Sequence, residues 1–252
     1  MYSEFDITVA KWGDVEKVAH YEMAILPWGA TEPHNKHLPY CTDMLSSQAI
    51  AFDVAKEVSR LGIDVMVLPG IPLGSQNPGQ TSLPFCIHVT QGTQSMVLRD
   101  IVDSLDRCGI RKLLIINGHG GNSFKGFIRD LVIDKPDFLI LSSEWYTVVP
   151  RESVFEADVD DHAGEQETSV MLYYYPELVK MENAGRGDTI PFAIDGLNRK
   201  VAWVPRDWNK VSVDTGIGNP LKATADKGKE YVAKVVKEYV KLIRDICKES
   251  LY

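Results

Sequence analysis

Apolar positions along this chain repeat with two different periods. Short unbroken runs at Met23–Leu26, Val65–Leu68, Leu113–Ile116 and Phe138–Leu141 read as strands buried on both faces. Between them apolar residues recur every three or four positions. Ile50, Val54, Val58 and Leu61 lead to Gly62, and Val97, Ile101, Leu105 and Cys108 lead to Gly109, so each series predicts a helix with a glycine stop. Phe124–Ile133 has the same character, and a shorter helical run over 166–175 ends before Pro176. Val232, Val236, Val240, Ile243 and Cys247 mark a long amphipathic helix near the end of the chain. Strands alternating with helices predict an α/β fold with a mainly parallel sheet covered on both faces. Ligands of such sheets sit outside the carboxyl ends of the strands.

No repeat, low-complexity tract or linker divides the sequence, so residues 1–252 read as a single domain. Two stretches lack either period. Gly70–Ser82 is rich in turn formers and reads as a loop near the site. The stretch Met181–Pro220 is irregular and holds Trp203 and Trp208 among Gly, Pro and Asn. It reads as an arm against a neighbouring subunit or a cradle for a peptide end.

Composition narrows the function classes. Apolar content of 44% and charged content of 25% are ordinary for a globular protein. A net charge of −8 with no basic run argues against nucleic acid as a partner. No apolar run is long enough to span a membrane, and the start MYSEFDITVAKWGD lacks the pattern of a signal peptide, so the protein reads as cytoplasmic. Cys41, Cys86, Cys108 and Cys247 are widely spaced and read as reduced thiols.

Candidate chemistry is confined to three segments. The first, LPWGATEPHNKHLPYCTDM over Leu26–Met44, carries Glu32, His34, His37 and Asp43. Glu32 and His34 project from the same side of an extended segment. Asp43 joins them if Asn35–Thr42 folds back, and it falls at or just before a helix N-terminus, where the dipole favours a carboxylate. The second, NGHGGN over Asn117–Asn122, directly follows a strand, and its glycines permit a sharp turn that projects His119. The third, DVDDHAGEQETS over Asp158–Ser169, holds His162, Glu165 and Glu167. Helix-start acids have a purely electrostatic explanation, but a histidine between carboxylates is suited to moving protons. Four of the six histidines lie in these segments, leaving His20 and His88 outside. Imidazole and carboxylate together are a ligand set for zinc, manganese or iron.

In order and content, GATEPHNKHLPYCTD, NGHGGN and HAGEQETS resemble the creatininase (creatinine amidohydrolase) family over roughly residues 20–180. That resemblance implies a three-layer α/β/α sandwich with a mainly parallel sheet, often assembled as a hexamer. It implies two divalent metal ions (Zn, Mn or Fe) that activate a bridging water to hydrolyse an amide or ring C–N bond. Glu32, Asp43 and His119 would hold one ion and His34 and Asp43 the other, with Asp43 bridging and His162 in the catalytic histidine position. Creatininase has a glutamate two residues after the histidine of the second motif, where this chain has Gly121. Glu165 and Glu167 are candidates to replace it. Glu167, part of the shared ETS run, is favoured, as both a metal ligand and a catalytic-site residue. Asp158 stands where creatininase has a tryptophan, and Trp145 only approximates another substrate-side tryptophan.

The expectation is a metal-dependent amidohydrolase acting on a small cyclic or linear amide. Alternatives are a formamide deformylase or a peptidase of the same family, or a non-catalytic, oligomeric metal-binding protein.

Overall fold

In the computed structural model, which describes residues 5–18 and 20–252, the four apolar runs become four strands of one parallel sheet. Chain order is α1 (Trp12–Val15), β1 (Met23–Trp28), α2 (Thr42–Ser59), β2 (Val65–Val67), α3 (Gln91–Arg107), β3 (Lys112–Asn117), α4 (Lys125–Asp134) and β4 (Leu139–Glu144). There follow β5 (Asp160–His162), α5 (Glu165–Tyr174), α6 (Asp195–Asn198), α7 (Trp208–Val211), β6 (Ile217–Gly218) and α8 (Ala225–Lys248). The sheet runs β2-β1-β3-β4 with every pairing parallel, while β5 and β6 form a separate antiparallel ribbon.

Strand alternation divides the core in two. Met23, Ile25, Val65, Val67, Leu114 and Ile116 face one way and pack with Ile50, Val54 and Val58 of α2 and Tyr231, Val235 and Tyr239 of α8. Ala24, Leu26, Trp28, Leu113 and Ile115 face the other way, against Leu98, Val102 and Leu105 of α3 and Leu131 of α4. Because both faces of each strand are covered, the strands read as continuous apolar runs and not as alternating ones. The result is the α/β/α sandwich that the resemblance implies. No helix of the described residues is long and apolar enough to cross a membrane.

Boundaries shift where polar residues enter regular structure. β4 continues through Ser142, Ser143 and Glu144, since ladder hydrogen bonds come from the backbone whatever the side chain. Leu61 lies beyond α2 and is 54% exposed. From β1 the chain moves to one side to form β2, then crosses over β1 to form β3. The loops after β1 and β3 therefore diverge at this reversal, which opens a crevice.

Candidate metal centre

Two glycines let a helix enter that crevice. A Cβ on Gly29, just after β1, would lie 2.3 Å from Met44 N, and one on Gly118, just after β3, would lie 2.4 Å from Asp43 O. With neither present, the first turn of α2 sinks between the strand ends and delivers Asp43, 1% exposed. Asn117 pins the following turn, accepting from His119 N and Asn122 Nδ2 and donating to His119 O. Glu32 reaches the same point from the loop after β1, where Gln80 donates to its Oε2 at 2.6 Å. The loop over residues 70–82 thus lies at the site, as its composition implied.

Three histidines share one hydrogen-bonding pattern. His34 Nδ1 is 3.0 Å from Glu32 O, His119 Nε2 is 2.9 Å from Ser75 O, and His162 Nε2 is 2.9 Å from Pro33 O. A carbonyl only accepts, so each of these nitrogens carries the proton, and in the neutral ring the other presents a lone pair. Those lone pairs face carboxylates. His34 Nε2 lies 2.8 Å from Asp43 Oδ1; His119 Nδ1 lies 3.1 Å from Glu32 Oε1 and 3.2 Å from Asp43 Oδ2; His162 Nδ1 lies 3.6 Å from Glu32 Oε1. A lone pair against a carboxylate oxygen is repulsive unless a cation, a proton or a metal ion, lies between them. Metal-ligating imidazoles typically donate their far N–H to a carbonyl or carboxylate in this way.

The potential ligand atoms form compact groups. Glu32, Asp43 and His119 make one, and His34, Asp43 and Glu167 make a second that shares Asp43. Glu32, His34 and His162 form a third, drawn from residues of the other two plus His162. Glu165 and Glu167 diverge. Glu165, fully buried, accepts from Glu156 N and Ala157 N and pairs with Lys227 Nζ at 2.5 Å, away from these groups. Glu167 accepts from Ala163 N through Oε2 and lies beside His34 and Asp43. Position 121 has no room for a ligand side chain, because a Cβ there would meet Ser75 O at 2.0 Å and His119 Nε2 at 2.5 Å.

The charges respond to this crowding. Burial alone would push His34 toward its neutral form, but Asp43 and then Glu167 and Glu32 outweigh it and hold the pKa at about 10. His119 is likewise raised, burial being overcome by Glu32 and Asp43. Burial also opposes ionisation of Glu32 and Asp43, yet the adjacent imidazoles hold both carboxyls below their usual range. Glu167 goes the other way: burial lifts it to about 8 despite His34. His162 is lowered by burial and by His34, so it favours the neutral ring.

Two cavities meet at these residues. One of about 670 Å³ is lined by Glu32, His119 and His162 together with Trp203, Arg206 and Trp208. Another of about 250 Å³ is lined by the same three ligand-type residues with Asp43, Tyr146 and Glu167. Trp208 stands edge-on to His162, with ring centroids 5.3 Å apart, and Arg206 lies 4.9 Å over Trp208 while pairing with Asp161. The sequence places Trp208 only in a segment read as a subunit arm or a peptide cradle and does not single out Arg206, because that segment has no period. Trp145, weighed as a substrate-side residue, is fully buried in the core against Tyr231 and lines neither cavity. Neither His20 nor His88 enters a ligand group among the described residues.

Comparison with known proteins identifies the family. The sequence profile of the creatininase family, described as creatinine amidohydrolase, matches residues 9–243. The chain belongs to the creatininase family. It is a creatininase-family hydrolase. A mycofactocin precursor peptide peptidase of Mycobacterium ulcerans is 29% identical over 231 residues, covering 87% of this chain and 83% of that one. A creatinine amidohydrolase of Pseudomonas putida is 28% identical over 180 residues, 63% of this chain and 66% of the other. Among solved structures, a Bacteroides fragilis protein provisionally described as a creatinine amidohydrolase is 53% identical with a TM-score of 0.98, each chain fully covered. A creatininase variant of the "Zn-Zn type" superposes with a TM-score of 0.82 at 23% identity, covering 97% of this chain and 98% of its own.

Proposed function

We propose that this protein is a metal-dependent amidohydrolase holding two divalent cations, zinc, manganese or iron, and cleaving the C–N bond of an amide. One ion would take Glu32, Asp43 and His119, the other His34, Asp43 and Glu167, with Asp43 shared. The observation that carries this reading is the orientation of His34 and His119. Each spends its far N–H on a backbone carbonyl and turns the opposite nitrogen onto buried carboxylates. Zinc and manganese are named for solved relatives of the same fold, which is consistent with this donor set.

When bound, such ions supply a water of lowered pKa and polarise a scissile carbonyl. The chain's own groups do the rest. His162 is neutral, presents Nδ1 toward Glu32 and borders both cavities, so it can take a proton from the attacking water and return it to the departing nitrogen. Pro33 O fixes its tautomer, and Trp208 holds one edge of the ring against rotation. Glu167 contributes charge beside the attacking water in addition to its ligand role.

A linear amide is favoured over a clamped creatinine ring. Trp145 is in the core, Asp158 replaces the other expected tryptophan, and the larger cavity exceeds what a single small ring needs. The functional assembly is proposed to be a homo-oligomer, a hexamer by family likeness. The test is elemental analysis of the purified protein, followed by a panel of acyclic amides, formamides, short peptides and creatinine assayed for amine, ammonia, formate or creatine. Close to two ions per chain with turnover of an amide supports the proposal. Bound metal without turnover of any of them supports a non-catalytic metal-binding protein.

A further inference from the structure

His37 belongs to the first motif yet enters none of the ligand groups among the described residues. It is 2% exposed, and burial together with the nearby His34 lowers its pKa to about 4, so the ring is neutral. Its Nε2 lies 2.8 Å from Thr168 Oγ1, a fully buried hydroxyl in the first turn of α5, immediately after Glu167. Its Nδ1 has no partner. The tautomer that donates Nε2–H to Thr168 leaves Nδ1 as an unpaired acceptor, a smaller cost than a buried orphan N–H.

The surroundings of His37 give that bond a purpose. One residue on, Leu38 packs with Ala163 and Met171, which flank and belong to α5. On the other side His37 O accepts from Lys180 N, and Asn35 bonds both N and O of Gly185. The segment His34–Leu38 is thus fastened to α5 by one polar and one apolar contact, while its first residue points into the ligand groups. His34 and Glu167 come from segments far apart in sequence, yet both must meet Asp43. A first turn of α5 free to shift by an ångström would carry Glu167 out of range.

We infer that His37 is a positioning residue: through Thr168 it locks the start of α5 so that Glu167 completes the second ligand group. The inference rests on the two-ion reading above and deepens it. It does not apply to the first group, whose members Glu32, Asp43 and His119 have no contact with His37 in the hydrogen-bond network.

The experiment is metal stoichiometry and competition titration with zinc on wild type, His37→Ala, Thr168→Val and His37→Gln, with thermal melts as a check on folding. Wild type should load two ions. His37→Ala and Thr168→Val should keep one tight ion and bind the second about 10–100-fold more weakly, the range seen when a partner supporting a metal ligand is removed. His37→Gln, whose side-chain amide can reach Thr168, should restore the second ion. A merely structural role would weaken both ions alike or only the melt. Full loading of both sites in His37→Ala, or equal loss from both in folded variants, overturns the inference alone. Fewer than two ions in wild type overturns the two-ion reading and this inference with it.

Discussion

His34 Nε2 and Asp43 Oδ1 lie 2.8 Å apart, with side chains essentially sealed from solvent. The far nitrogen of His34 already donates to Glu32 O, so the near one must share a proton or a metal ion with the carboxylate. In the metal-free protein it is a proton, since Asp43 outweighs burial and holds His34 at about 10.

Metal therefore competes with protons. Below its pKa His34 is protonated and blocked as a ligand, and Glu167, at about 8, is protonated at neutral pH as well. Loading should release more than one proton per chain near neutrality, and affinity should rise from about pH 6 to about pH 9. Calorimetry in buffers of different ionisation enthalpy measures the release. A metal affinity unchanged across that range contradicts the assignment.

Glu165 and Glu167 should separate cleanly. Glu167→Gln is expected to lose the second ion and most hydrolysis with little change in melting temperature. Glu165→Gln can keep its one acceptor oxygen on the two backbone N–H groups or on Lys227 but not on both, at a cost of about 1–3 kcal/mol. Metal content of that variant should stay at the wild-type level. Elemental analysis alongside denaturant melts distinguishes the two patterns.

Restoring the glutamate that creatininase has at position 121 should fail. Any side chain there drives against Ser75 O and His119 Nε2, so Gly121→Glu is expected to displace His119 and lose the first ion. Overpacking of this kind costs about 1–3 kcal/mol. A Gly121→Glu protein with full metal content and activity would contradict the steric reading of position 121.

His162→Ala should retain both ions but lower kcat by about 10²–10⁴-fold, the usual contribution of a general acid–base group. Metal loss in this variant would instead make His162 a ligand with Glu32 and His34, the third grouping of ligand atoms in the site.

Most of the sheet was legible in the sequence, because strands buried on both faces leave unbroken apolar runs and the helices between them keep their period. The segments that carry the proposed ligands stand out for a different reason, namely that histidine is scarce and its four occurrences there coincide with acids and glycines. What stayed hidden depends on direction. Nothing in EQE says which acid turns inward, and only the partners of Glu165, Lys227 and two backbone amides, take it away from the site. β5 lies in a run too polar to read as a strand. Trp208 reaches His162 from an irregular segment whose path no periodicity reveals.

Anomalous diffraction from crystals of the zinc-loaded protein, recorded on both sides of the zinc edge, tests the central claim most directly. Two peaks flanking Asp43 are expected, one within bonding distance of Glu32 and His119 and the other of His34 and Glu167. A single peak away from Asp43, or none at full zinc occupancy of the solution, would contradict the account.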